Sequence, residues 1–527
     1  MSSFSRFYNI FITLSSPVIL GFLVLASEAR AQQAVHPCWQ GMVQIDSVQA
    51  DLAALTAPGM EGRGTGQSGY LRAADFVASQ LQNWNLIPVN RNEGESHSFL
   101  HPVPYLRVVS VGGTFKLGGR MWKMGPDFVP TARRRLDSLA LAPTYRIKCA
   151  SNPSDGGDPF SGITIGPQGF SILIEGRYPF NAVSSQTQCA LDLRKKVSAM
   201  GCKQVFYRPT RFTTFRKQWE EDEGHRPRIR LLEATRPAAT TSGKVSNSPP
   251  GPIQEYAVSG PLYRSIRSHA ARVGTVTGAT SGSIVIHSQR DSFTAPNVVG
   301  MIRGKTRPDE YVFLTAHLDH LGVVDGTVYA GADDNGSGST VLLSVARALS
   351  QLARQNIHPD RSIVLVWFSG EENGLLGSRW MTSTLTDSMG IGGGQVFANI
   401  NMDMLGRHDA AHGPDDPYLY VVHHHENQSI RPFTEQVNTL CGDLKLDYSY
   451  SRADDPERLF MRSDHYAFHQ LGIPAFFLFS GLHEDYHKPT DTADKISVPR
   501  LTRNAGFVLN LAWQIAQRNE RLNPVEP

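Results

Sequence analysis

The sequence predicts an α/β protein with a mostly parallel central sheet covered by helices on both faces and interrupted by a smaller β-rich insert. Three observations carry that prediction. Apolar runs at 311–314, 363–368, 397–400 and 475–479 lack the polar alternation of a half-exposed strand, so they read as strands buried on both faces. Between the first two runs, Val341, Leu342, Val345, Leu349 and Leu352 repeat at helical spacing, which gives a strand, helix, strand unit. The stretch from 106 to 290 has another texture, with short alternating segments such as 170–175 and loops rich in Pro, Gly and Ser.

The elements follow in chain order. Arg6 precedes an apolar run over 10–26, and Ala29-Arg30-Ala31 then supplies the small residues a signal peptidase reads, so residues 1–31 are expected to be a cleaved export signal. No cysteine stands at that junction, and lipid anchoring is not expected. Residues 32–105 read as the N-terminal part of a catalytic domain that resumes at 291–527, with 106–290 as the insert. In the first part, Tyr70, Ala73, Ala74, Val77, Ala78, Leu81 and Trp84 share one helical face. The glycine-rich segment from Gly59 to Gly66 reads as a loop entering that helix, able to approach a site closely. Within the insert, 191–200 is helix-like, 220–223 is a solvated acidic run, and 238–252 is the least ordered stretch by composition.

Composition narrows the function. In a chain of 527 residues, 40% hydrophobic and 19% charged residues exclude both a disordered chain and a multi-span membrane protein. The 51 Lys+Arg against 48 Asp+Glu leave a formal charge of +3, so no global field favours nucleic acid or anionic lipid. Neither nucleic acid nor, once the signal is removed, a membrane is an expected partner. Five cysteines are too few for a disulfide scaffold, and the odd count leaves one unpaired in a monomer.

Polar residues follow the buried strands in a consistent way. His317-Leu318-Asp319 comes after the first, Glu371-Glu372 after the second and Met402-Asp403 after the third. Ligands of open α/β sheets bind outside the carboxyl ends of strands, so these segments should converge on one crevice. The acidic loop around Asp333 and Asp334, opening a helix, and the segment Tyr486-His487 join them. Imidazole and carboxylate donors without cysteine suit zinc or a similar divalent ion. His317, Asp334, Glu372, Asp403 and His487 are more ligands than one zinc needs, which points to two zinc ions per chain sharing a carboxylate. Adjacent residues on an extended segment face opposite ways, so one of Glu371 and Glu372 binds metal while the other serves as general base. Asp319 is expected to orient the ring of His317, and Asp491 that of His487. His423-His424-His425 reads as an exposed loop, His320 as local packing or surface, and Met402 and Met404 as core.

With these residues, His317-Leu318-Asp319, Gly331 to Gly338, Gly370-Glu371-Glu372, Asn401-Met402-Asp403 and Tyr486-His487, the chain resembles the secreted dinuclear-zinc aminopeptidases, a family that includes glutamate carboxypeptidases and glutaminyl cyclases. The resemblance spans 296–517 and, more weakly, 61–86; the insert looks similar to the protease-associated domain of many members. It implies that His317 and Asp403 hold one zinc, Glu372 and His487 the other, and that Asp334 bridges. Glu371 becomes the proton shuttle and Tyr486 the oxyanion donor, while Arg462 and Asp464 fall near the substrate pocket. Carboxylates outnumber arginines at this crevice, so a peptide's free amine is the expected anchor. A carboxypeptidase or a glutaminyl cyclase remains the alternative.

Overall fold

The computed structural model describes residues 38–89, 98–117 and 282–522, with 119–124, 126, 128–130, 139–140, 144–148, 170–175, 202–207, 228–232, 254–269 and 271–272. The expected export signal, the helix-like run at 191–200, the acidic run at 220–223 and the stretch 238–252 lie outside the described residues. Among the described residues no helix is long and apolar enough to cross a membrane.

A nine-stranded sheet forms the centre, ordered Ile87–Pro88, Asn297–Ile302, Arg361–Phe368, Arg307–His317, Val396–Met402, Ala475–Phe479, Tyr418–His423 and Lys445–Asp447, with Leu100–His101 also paired to Asn297–Ile302. The expected α/β class is observed, and the sheet is mixed. Its four middle strands, from Arg361–Phe368 to Ala475–Phe479, run parallel, and antiparallel pairings flank them on both sides. The unalternated runs have the predicted consequence. In Arg361–Phe368, Ile363, Leu365 and Trp367 enter one apolar cluster, while Val364, Val366 and Phe368 enter another on the opposite face.

The larger cluster is covered by Ile45–Leu55, Ser68–Asn83, Gly338–Arg354, Ile430–Cys441 and Val498–Gln517; the smaller by Leu376–Met389 and His465–His469. On Ser68–Asn83 the predicted face is buried at Tyr70, Ala73, Ala74, Val77 and Leu81. A half-buried Arg347 donates to both oxygens of Asp51, at 2.8 and 2.7 Å, joining two of these helices. A disulfide links Cys38 to Cys441, tying the N-terminal segment to the end of Ile430–Cys441.

The segment expected to be an insert begins in Pro104–Leu117 and ends in Gly282–Thr294, long strands that pair antiparallel from Pro104 opposite Thr294 to Leu117 opposite Gly282. They anchor a five-stranded antiparallel sheet. A second sheet of six strands is mainly parallel, with Phe170–Glu175 between Thr144–Lys148 and Cys202–Tyr207. Alternation in sequence did not distinguish these two sheets, because it reports burial and not strand direction.

Candidate metal centre

Parallel strands ending together place their next residues side by side. His317 closes Arg307–His317, Asp403 follows Val396–Met402, and Glu371 and Glu372 follow Arg361–Phe368 by a short turn. His317 Nε2 lies 3.2 Å from Asp403 Oδ1 and 3.4 Å from Asp334 Oδ1. On the other side, His487 Nε2 lies 3.1 Å from Asp334 Oδ2 and 3.0 Å from Glu372 Oε2. Asp334 thus turns one oxygen to each imidazole. Glu371 Oε2 stands 3.9 Å from His317 Nε2, while Glu372 turns away toward His487, as expected of neighbours. The separation arises within a turn, in which Gly374 and Leu375 donate to the Glu371 carbonyl, and not on an extended segment.

The donor set fits zinc. Imidazole nitrogens and carboxylate oxygens about 2.0–2.2 Å from a tetrahedral ion lie about 3.3–3.5 Å from one another, close to the spacings here. Ligand atoms of His317, Asp334 and Asp403 gather within 4.8 Å, and so do those of His320, Asp334 and Glu372.

Two orienting roles differ from expectation. The His317 ring bonds at 3.0 Å to the main-chain carbonyl of Asp319, while the Asp319 carboxylate lies 3.9 Å away. That carboxylate instead accepts from Thr65 Oγ1 at 2.7 Å and from the Glu371 amide at 3.1 Å, so it ties the glycine-rich segment, expected to be a loop but opening with the kinked 3-10 helix Pro58–Arg63, to the turn bearing Glu371. Asp491 accepts from the amides of Asp333 and Asp334 and supports the bridging loop, where His487 was the expected partner. A buried carboxylate near strand ends can serve several donors, and the local sequence does not say which.

A small cleft opens on the centre, lined by Asp334, Glu371, Asp403, Arg462, Ser463 and Tyr486 with the apolar Met404, Leu459, Phe477, Phe479 and Leu482. Arg462 is there as expected, 3.3 Å from Glu457. Asp464 is not: its side chain is fully buried and outside the lining. Met402 and Met404 are both buried in the core as expected, and Met404 also lines the cleft. His423 ends a strand and is buried, and only His425 of the three histidines is exposed. His320, expected as local packing or surface, is buried, with Nδ1 2.8 Å from Glu372 Oε1. Sequence reasoning also missed Ser463, which donates to Asp403 Oδ2 at 2.8 Å, and the fully buried Arg63.

The electrostatics separate the neighbouring glutamates. Burial pushes the Glu371 carboxyl well above the usual carboxyl range, and repulsion from Glu372, Asp464 and Asp403 adds to it against the pull of His317. Burial also penalises the Glu372 charge, yet hydrogen bonds from His320 and His487 hold its carboxyl well below that range. Burial lowers both metal-facing imidazoles, and the carboxylates outweigh it, taking His317 well above the usual range and His487 to about 10. The two adjacent carboxyls are thus driven apart, Glu371 toward the protonated form and Glu372 toward the anion. Burial carries Asp319 to about 6 and Asp464 to about 7.

This fold and site define an α/β protein with a crevice of imidazoles and carboxylates at the carboxyl ends of its parallel strands, spaced as a metal site would need. Residues 297–512 match the profile of peptidase family M28, and the chain carries a domain of that family. It is 28% identical over 256 residues to a probable leucine aminopeptidase of Arthroderma otae, covering 47% of this chain and 64% of that one. Against aminopeptidase YwaD of Bacillus subtilis it is 27% identical over 238 residues, covering 43% and 46%. The chain therefore spans less than two thirds of the length of these curated relatives. A solved aminopeptidase from Aneurinibacillus sp. strain AM-1, 18% identical, shares the fold over 93% of this chain and 98% of that one with a TM-score of 0.51.

Proposed function

We propose that the protein is an exported zinc-dependent aminopeptidase that removes N-terminal residues from peptides, with two zinc ions per chain. The observation that carries this reading is Asp334 standing between His317 and His487, one oxygen toward each, with Glu371 lining the same cleft. His317, Asp403, Asp334, Glu372 and His487 would hold the zinc, which would supply Lewis acidity toward a scissile carbonyl and toward water. The chain's own residues do the rest. Glu371, as the carboxylate, takes a proton from the attacking water and returns it to the leaving amine, and the surroundings that favour its protonated form stabilise it between those two transfers. Tyr486, kept protonated by burial and by Asp334, Glu372 and Glu371, donates to the oxygen on which charge develops.

The free amine of the substrate meets Glu371, Asp403 and Asp334. Arg462 is the only Lys or Arg among the lining residues and already faces Glu457, a poor anchor for a C-terminal carboxylate. The apolar walls suit an apolar side chain. Export is supported by the segment from Arg6 to Ala31 and by the Cys38–Cys441 disulfide, a bond that persists in oxidising compartments.

Metal analysis combined with one peptide in three forms tests the reading. Purified protein should carry about two zinc ions, lose activity to a chelator and regain it with zinc. The peptide should be cut with its amine free or its C-terminus amidated, and resist when acetylated. Cleavage of the acetylated peptide but not the amidated one makes the protein a carboxypeptidase, and full activity with one zinc removes the paired centre.

A further inference from the structure

We propose that His320 is a positioning residue, which holds Glu372 so that a single carboxylate oxygen, Oε2, is presented to the zinc shared with His487. The proposal rests on the two-zinc reading above. His320 Nδ1 is 2.8 Å from Glu372 Oε1, the length of a hydrogen bond to a carboxylate, while Glu372 Oε2 lies 3.0 Å from His487 Nε2. A carboxylate only accepts, so Nδ1 carries the hydrogen. The two oxygens of Glu372 are thereby divided, one to His320 and one to the metal position.

His320 is itself a poorer ligand than His487. Its Nδ1 is 3.7 Å from Asp334 Oδ2, against 3.1 Å for His487 Nε2. Its second ring nitrogen, Nε2, is buried without a hydrogen-bond partner. An imidazole buried at the cost of an unpaired nitrogen is a poor stability device, and its polar bond to Glu372 is what it has to offer.

The backbone around it is built to aim that bond. The His320 amide donates to the Arg63 carbonyl at 3.2 Å. Arg63 in turn donates to the carbonyls of Leu318, Ala330 and Gly331, at 2.9, 2.9 and 2.7 Å, so one fully buried guanidinium grips the chain before His320 and the loop leading to Asp334. Gly331 has φ of 57° and lies against the ring; a Cβ there would stand 2.4 Å from it. The ring is thus confined between Gly331 and Glu372.

The test is zinc titration into metal-free protein, by calorimetry or chelator competition, for wild type, His320→Leu and His320→Asn. Leucine keeps volume and removes the donor, whereas the asparagine amide can stand where Nδ1 stood. His320→Leu should weaken the weaker zinc site by about 10–100-fold, the usual cost of losing a partner of a metal ligand, leave the tighter site within about twofold, and His320→Asn should recover most of the loss. Unchanged affinities in His320→Leu overturn the proposal. So does loss of one zinc in both variants, which makes His320 a ligand, or equal weakening of both sites with a lowered melting temperature, which makes it structural. Should the leucine variant not fold, His320→Ala replaces it. Saturation of the wild type at one zinc ends the two-zinc reading and the proposal with it, and is recognised because it appears without any substitution.

Discussion

On one side of Asp334, His317 ends a strand paired on both edges, is 1% exposed, and has its ring and carbonyl bound by the Asp319 carbonyl and by Ser339 Oγ. Asp403 beside it accepts from Ser463, which accepts from Asn401. On the other side, His487 lies in a loop with φ of 57°, its side chain is 37% exposed, and its ring stacks on Tyr486. That loop is held by ion pairs of Asp485 with Arg407 and Lys495 and by His483 against Asp333. One half of the centre is an extension of the sheet core, and the other is a loop docked onto it. Local opening is drawn from segments with few buried contacts, so the two halves should differ in how readily they yield a ligand.

The largest effect should come from separating Glu371 and Glu372. Glu371→Gln is expected to lower turnover by about 10²–10⁴-fold with zinc content unchanged, as for loss of a general base. Glu372→Gln should instead remove zinc from the His487 half. Zinc loss in the first variant and retention in the second would mean the two roles are exchanged.

Graded chelation measures the asymmetry itself. One zinc should leave at least about tenfold more readily than the other, and His487→Ala should keep a single, resistant ion while His317→Ala does not. If the two variants release zinc alike, the strand end confers no advantage on the half it supports.

The smallest effect concerns the scaffold. Burial depresses His101 to about 4 and His465 to about 3 from the ordinary value of 6.5, with His469 adding repulsion to His465. Above pH 6.5 neither residue affects stability. As pH falls from 6.5 toward 3 the unfolded chain binds protons that the native state refuses, so stability drops, by at most about 1.4 kcal/mol per group per pH unit. Urea unfolding with chelator present should show that slope, and His465→Phe, whose ring can keep the stack on Phe477, should flatten it. A slope unchanged by the substitution would assign the acid sensitivity elsewhere.

The same contrast governs what could be read without coordinates. His317, Asp403, Glu371 and Glu372 stand directly after apolar runs, and parallel strands end together, so strand assignment alone brought them to one crevice. His487 follows no apolar run, so it joined the ligand set by its residue type and by resemblance, with no strand end to bring it to the crevice. Arg63, Thr65, His320 and Ser463 escaped because each acts on a residue more than 50 positions away: Thr65 on Asp319, His320 on Glu372, Ser463 on Asp403 and Arg63 on Leu318.

By itself, the order of residues determined the four central strands buried on both faces, two of the helices that cover them, and which donors follow the strand ends, because burial and periodicity are local properties of the chain. Tertiary structure decided which oxygen of each carboxylate faces which imidazole, that Asp319 serves Thr65 and the Glu371 amide, and that His320 lies beneath Glu372. Such choices depend on approaches of a few tenths of an ångström between segments far apart in sequence, where hydrogen-bond energy changes steeply and no local pattern records the outcome.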